Sequence, residues 1–197
     1  TVICCHKKYI EYMKVLLKEY CNDKMDKIEI CEGGKTRLDT VIKGIKFIKE
    51  NNFITDEDIF LAHDSVRPFV SQRILDENIA MTKLYGSATT STYLIETIQQ
   101  VNDKNEIMKL LPRERMYSGQ SPQTFKINKF LNYYNRIDTE KIKNSTDLAD
   151  IYILNNDYVK IVLGEKENIK ITTSFDLLIA NEFITYEGTE ILSKFIN

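Results

Sequence analysis

No stretch of this sequence approaches the roughly 20 consecutive apolar residues that a membrane-spanning helix needs, so no such helix is expected. A signal-peptide pattern is not visible either. Charge of one sign is in short supply. With 27 Lys and Arg against 29 Asp and Glu the net charge is −2, which lacks the broad basic field of a nucleic-acid binder. Any phosphate ligand must therefore be held by individually placed cations. The 4 cysteines, Cys4, Cys5, Cys21 and Cys31, form no C-x-x-C pair. Even with His6 beside them they lack the ligand spacing of a structural zinc site. Reduced thiols in a cytoplasmic protein are the simpler reading. No G-x-G-x-x-G occurs, which argues against a generic dinucleotide-binding protein. Repeats, low-complexity segments and an interdomain linker are also missing.

What is present suits one domain over residues 1–197 with a proper core: 43% of residues are hydrophobic and 28% charged. Thr1 to Cys5 reads as a strand, and His6 to Tyr20 as a helix with Ile10, Met13, Leu17 and Tyr20 on one face. Lys27 to Cys31 reads as a second strand, followed by a helix carrying Leu38, Val41, Ile45 and Ile48. Ile59 to Ala62 is a third strand. Ser71 and Gly86 bracket the next helix as N-cap and C-terminal cap. Ala88 to Leu94 follows as a Thr-rich strand. Such alternation predicts an α/β fold with a mostly parallel sheet and helices on both faces.

Two loops in this scheme can carry chemistry. The run Ile59 to Ala62 stops at His63-Asp64, which puts Asp64 and Arg67 just past a strand's carboxyl end, where open α/β sheets bind ligands. An aspartate there can hold a divalent cation, and an arginine three residues on can fork a phosphate. Equally, Asp64 can be a plain turn cap. Gly33-Gly34 separates a strand from a helix start, with Thr36 and Thr40 close by. That suits an anion cradle or a simple tight turn.

Beyond Leu94 the alternation breaks. Residues 96–101 and 106–111 read as a hairpin around Asn102-Asp103-Lys104-Asn105, with Ile98, Val101, Ile107 and Leu110 needing a partner surface. A second subunit is the simplest candidate. Tyr117 to Phe125 is polar and carries Pro122, yet does not resemble a linker. Asn144-Ser145-Thr146-Asp147 is expected to open a helix to about Ile153. Val159 to Leu163 and Asn168 to Thr172 read as short strands, and Ser174 as the cap of a last helix.

The stretches GGKTRLDTV (33–41), HDSVRPF (63–69), YSGQSPQTF (117–125), STDLAD (145–150) and ENIKITTSFDLLIA (167–180) together carry a resemblance. In that order they resemble the cytidylyltransferases of the isoprenoid and teichoic-acid pathways, which act on methylerythritol phosphate and ribitol 5-phosphate. The resemblance implies a Rossmann-like fold with a protruding β-hairpin arm, at about 96–113 here, that makes a homodimer. It implies CTP and Mg²⁺, with pyrophosphate released and a CDP-alditol formed. Carried over by position, Gly34, Lys35, Thr40, Asp64, Ser65 and Lys170 would serve the nucleotide. Lys35 departs from the acidic residue that is usual there. Asp64 would bind the metal, and Asp64 and Lys170 would be catalytic. Arg67, Thr97, Arg113, Ser121 and Thr146 would hold the acceptor, with Thr97 and Arg113 reaching a partner's site and Ser121 standing where threonine is usual. His63 reads as a structural hydrogen-bonding residue. Within the family the stretches 63–68 and 117–125 look closer to the ribitol-5-phosphate branch, the methylerythritol branch more often having Ala-Ala after the aspartate where Ser65-Val66 stands here, so ribitol 5-phosphate is the expected acceptor and methylerythritol phosphate the alternative. The resemblance also implies an opening strand and a glycine-rich triphosphate loop, neither of which is present in residues 1–197. A chain confined to these residues is expected to have little transferase activity, which leaves a non-catalytic nucleotide-binding or dimerisation module as the other reading.

Overall fold

A computed structural model describes residues 1–143 and 145–187. Strand β1 (Val2–Cys5) pairs in parallel with β2 (Glu29–Glu32), Ile3 opposite Ile30 and Cys4 opposite Cys31. Between them run a short 3-10 turn, helix α1 (Ile10–Tyr20) and a second 3-10 stretch, Asn22–Lys27. Lys27, read above as the start of a strand, belongs to that stretch. Helix α2 (Arg37–Asn51) starts at a capping box in which Thr36 accepts from the Asp39 N–H and Asp39 accepts from the Thr36 N–H. Its buried face is Leu38, Ile42 and Ile45.

Strand β3 (Ile59–Ala62) leads to α3 (Gln72–Tyr85). The Ser71 hydroxyl caps α3 by accepting from the Ile74 N–H at 3.3 Å. Gly86, at φ 90°, ends it in the left-handed region that glycine adopts freely. Strand β4 (Ser87–Tyr93) follows, then the antiparallel hairpin of β5 (Gln99–Val101) and β6 (Ile107–Leu110).

The polar stretch after the hairpin is itself a strand, β7 (Tyr117–Lys126), and it lies inside the sheet β3-β7-β4-β8. Proline argues against a central strand because it cannot donate to the ladder. Here the polar groups find partners: the Thr90 hydroxyl donates to the Pro122 carbonyl at 2.8 Å, and Gln123 Nε2 donates to the Thr89 hydroxyl at 3.0 Å. Helices α4 (Ile127–Tyr134), α5 (Thr139–Ile142) and α6 (Asp150–Ile153), strand β8 (Lys160–Leu163) and α7 (Ser174–Glu187) complete the order.

Three local expectations need correction. Residues 145–149 form a loop and turn, in which Asp147 accepts from the Ala149 N–H, and the helix opens only at Asp150 without a side-chain cap. Asn144 lies outside the described residues. Residues 168–172 are not a strand, since the Ile171 N–H reaches the Val66 carbonyl without a continuing ladder. Ser174 is the first residue of α7 rather than its cap. The cap is a Thr173–Asp176 pair, with the Thr173 hydroxyl accepting from the Asp176 N–H at 3.2 Å.

Among the described residues the hydrogen-bonded strands form the pair β1-β2, the sheet β3-β7-β4-β8 and the separate β5-β6 hairpin. Helix α2 packs on β1 and β2, while its Leu38, Ile42 and Ile45 share a core cluster with Phe60 of β3. A helix, not a ladder, therefore joins the first pair of strands to the core.

The contacts divide the chain into two units. The first comprises residues 1–62, 79–88 and 124–160. Its core is aromatic: Phe60 lies 5.0 Å from Phe130, and Phe125 lies 5.1 Å from Phe130 and 5.2 Å from Tyr152. Burial of such rings is the main apolar stabilisation, at about 2–3 kcal/mol each. The second comprises 63–78, 89–123 and 161–197. Its buried residues include Asn78, Thr90, Gln123 and Asn168, each at most 1% exposed. They are linked by bonds such as Asn78 Nδ2 to the Thr90 hydroxyl at 2.9 Å, because a buried polar group without a partner is costly. No described helix is long and apolar enough to cross a membrane.

Candidate active site

In the second unit the turn after β3 closes when the Arg67 N–H donates to the Asp64 carbonyl at 2.9 Å. Ser65 and Val66 stand exposed at its tip. The Asp64 carboxylate is 18% exposed and faces two cations: Lys170 Nζ is 3.2 Å from Oδ2 and Arg67 Nε is 3.9 Å away. A single carboxylate between two cations leaves local positive charge that favours a phosphate. Lys170 is 45% exposed and can reach a ligand. Arg67 is 11% exposed, and its Nη1 already donates to the Asn168 carbonyl at 2.7 Å. The fork expected to grip a phosphate is thus partly spent on the turn's own framework.

Ser121 is spent inward as well. Its Oγ accepts from the Asp64 N–H at 3.0 Å and meets His63 Nδ1 at 3.0 Å. Asn168, fully buried, donates from Nδ2 to Gln120 Oε1 at 3.1 Å and to the Ser121 carbonyl at 2.8 Å. It therefore ties β7 to the loop that presents Lys170. Gly164 is required there, because a Cβ would meet Thr90 Cγ2 at 2.9 Å and collide with Gln120. The loop's far end is fixed by Asp176. Its carboxyl is held down to a pKa of about 2, chiefly by the backbone N–H groups of Thr172 and Thr173. The α7 N-terminus is thus filled by the chain's own carboxylate.

The remaining acceptor candidates of this unit sit at the foot of the hairpin. Thr97 and Arg113 are exposed, and Arg113 Nη1 donates to the Ile95 carbonyl at 2.7 Å. Neither is among the groups bonded to Asp64.

In the first unit Gly34 and Thr40 come together. The Gly34 N–H donates to the Thr40 hydroxyl at 2.9 Å, and that hydroxyl donates to the Thr36 carbonyl at 2.8 Å. Lys43 Nζ donates to the Gly33 carbonyl at 2.9 Å. A Cβ on Gly34 would lie 2.6 Å from the Asp39 carbonyl carbon and 2.8 Å from the Thr40 nitrogen. Gly34 is thus needed for close approach of loop to helix, and Thr40 for locking it. Lys35 projects from this loop, exposed. Thr146 is exposed on a shallow hollow lined by Arg37, Leu38 and Asp147.

Sequence reasoning missed Asn168 and Gln120. Each is one polar residue inside a motif, and only the folded chain shows that they bond each other. Among the described residues no group of three or more His, Cys, Asp or Glu could hold a metal by itself. Asp64 suits the other mode, in which one carboxylate and the substrate's own phosphates share a magnesium ion with water.

A carboxylate set between cations past a strand end of an α/β fold suits a phosphate-bearing ligand. The comparisons make the class specific. Residues 1–186 match the family model described as IspD, 2-C-methyl-D-erythritol 4-phosphate cytidylyltransferase, and the chain belongs to that family of nucleotidyltransferases. Solved structures agree on the fold, a mixed α/β domain with a mostly parallel central sheet. The 4-diphosphocytidyl-2C-methyl-D-erythritol synthase of Anaerococcus prevotii superposes with a TM-score of 0.76 at 24% identity, covering 93% of this chain and 78% of that one. The Francisella tularensis 2-C-methyl-D-erythritol 4-phosphate cytidylyltransferase gives 0.72 at 29%, covering 83% and 74%. The bifunctional IspDF of Campylobacter jejuni gives 0.66 at 21%, covering 90% of this chain and 40% of that one.

Proposed function

We propose that this chain transfers CMP from CTP to 2-C-methyl-D-erythritol 4-phosphate. Membership of the family supports the cytidylyl chemistry. The family's description also favours this acceptor over ribitol 5-phosphate, to which the sequence alone inclined. The observation that carries the mechanism is the pairing of Asp64 with Lys170 at 3.2 Å. An oxygen of the acceptor phosphate attacks the α-phosphorus of CTP. The new P–O bond forms as the bond to the bridging oxygen breaks, and pyrophosphate leaves with that electron pair. The attacking phosphate is already ionised, so no general base is needed, and catalysis rests on positioning and charge stabilisation. Asp64 would hold magnesium together with the triphosphate, and the ion would supply Lewis-acid neutralisation of the phosphoryl oxygens. Lys170, 45% exposed beside Asp64, stabilises charge on the α-phosphate. Arg67 keeps the turn in shape. On the family resemblance Lys35 and Ser65, both exposed, serve the nucleotide, and Thr146 and Arg113, also exposed, the acceptor phosphate.

The hairpin makes a homodimer in the same reading. Val101, Ile107, Met108 and Leu110 are 49–66% exposed on a two-stranded ribbon that is marginal alone. Thr97 and Arg113 at its foot then serve the partner's site. A cytoplasmic setting fits the 4 free thiols. Ribitol 5-phosphate stays as the second reading on Ser65-Val66. Phosphorus NMR of reactions offering each acceptor with CTP and Mg²⁺ decides between them. A CDP product from methylerythritol phosphate alone supports the proposal, one from ribitol phosphate alone overturns the acceptor, and none from either overturns the reaction.

A further inference from the structure

We propose that His63 is a positioning residue for this reaction, acting through Ser121 on the backbone of Asp64; the catalytic part of the claim rests on the cytidylyl-transfer reading. The proton arrangement follows from the partners. His63 Nε2 lies 2.9 Å from the Arg67 carbonyl oxygen, which can only accept, so Nε2 carries the hydrogen and donates. In the neutral ring Nδ1 is then an acceptor. At 3.0 Å it takes the Ser121 hydroxyl hydrogen. The Ser121 oxygen, its hydrogen committed, accepts from the Asp64 N–H at 3.0 Å. The Arg67 N–H to Asp64 carbonyl bond at 2.9 Å closes the circuit.

One imidazole thus spans the turn from Asp64 to Arg67 and fixes both ends. The circuit adds to the turn's own bond, the ion pairs and the Arg67 to Asn168 bond in restraining the Asp64 backbone. A carboxylate that must meet a cation and a phosphate tolerates about 0.5 Å of error. A misplacement of about 1 Å costs on the order of 100-fold in rate. The same circuit reassigns Ser121. Its hydroxyl orients Asp64 rather than holding the acceptor, so a threonine keeps the function and an alanine loses it.

A double-mutant cycle on the full chain tests this with His63→Phe, which keeps the ring shape, Ser121→Ala, and the pair. Each single variant should lower kcat roughly 10- to 100-fold while acceptor KM and CTP Kd stay within about 3-fold. The pair should lose no more than the worse single, because both break one circuit. Ser121→Thr should restore kcat. Additive losses overturn the proposal. So does a Ser121→Ala variant that raises acceptor KM at unchanged kcat, which would mark a direct contact. Nitrogen-15 NMR of the His63 ring reads the tautomer independently of turnover. Hydrogen on Nε2, with the Nδ1 signal moving in Ser121→Ala, supports the circuit, and hydrogen on Nδ1 overturns it. A wild-type chain without turnover overturns the reaction reading and the catalytic role with it, while the ring spectra still decide the circuit.

Discussion

Replacing Gly34 by alanine should damage stability and nucleotide binding together. The new Cβ would sit 2.6 Å from the Asp39 carbonyl carbon and 2.8 Å from the Thr40 nitrogen, which are backbone atoms of the first turn of α2 and cannot swing aside. The loop must move instead. That breaks the Gly34 N–H to Thr40 bond, worth about 1 kcal/mol, and disturbs the Thr36–Asp39 capping box, worth about 1 kcal/mol. Residual strain adds about 1 kcal/mol. Reduced freedom of the unfolded chain returns less than about 1 kcal/mol. The net loss is about 2–3 kcal/mol, or a Tm lower by about 5–10 °C for a chain of this size. Gly33→Ala is the control, since its Cβ would meet the Thr40 side chain at 3.3 Å and the Cys5 carbonyl oxygen at an ordinary 3.5 Å, and it should cost under about 1 kcal/mol. Urea unfolding and CTP calorimetry on both variants provide the measurement. A Gly34→Ala protein as stable as wild type, with unchanged CTP affinity, would refute the close-approach argument.

Lys170→Met should lower kcat by about 10²–10³-fold while CTP affinity falls far less, which single-turnover kinetics with calorimetry would show. Phe130→Ala, at the centre of the aromatic core, should cost about 3–5 kcal/mol in urea unfolding. Asp176 has a folded pKa of about 2 against an ordinary 3.8, so its stabilisation is complete above about 3.8 and is lost as pH falls through 2. Asp157 acts in the same direction: burial would raise it, but Lys129 at 2.8 Å and the Tyr133 hydroxyl hold it below the usual range. Acid unfolding should therefore steepen below pH 4, and Asp176→Asn should flatten that slope.

Much of the first half of the fold was legible because its signals are local. The Ser71 and Gly86 caps bracket α3, and the apolar run Ile59 to Ala62 is β3 residue for residue. Strand β7 was hidden for the opposite reason. Ser121 and Gln123 can be buried because Asp64, Thr89 and Asn168 satisfy their polar groups, and none of those partners is near in sequence. Asp64, Arg67, Ser121 and Lys170 could be singled out as candidates from the sequence, but the bonds each makes in the fold could not. Arg67 and Asn168 are 101 positions apart, and nothing local says that a guanidinium expected to hold phosphate is already held by a carbonyl. The inward commitment of Ser121 and Thr40 likewise depends on which way each hydroxyl donates, which only the folded partners determine.

The central claim is that Asp64 and Lys170 form the reaction centre of a cytidylyltransferase. Pyrophosphate release from CTP with Mg²⁺ and methylerythritol phosphate, measured on wild type and on Asp64→Asn, tests it most directly. Acceptor-dependent release is expected from wild type and none above background from Asp64→Asn, with both chains equally folded. Release that survives in Asp64→Asn would contradict the claim.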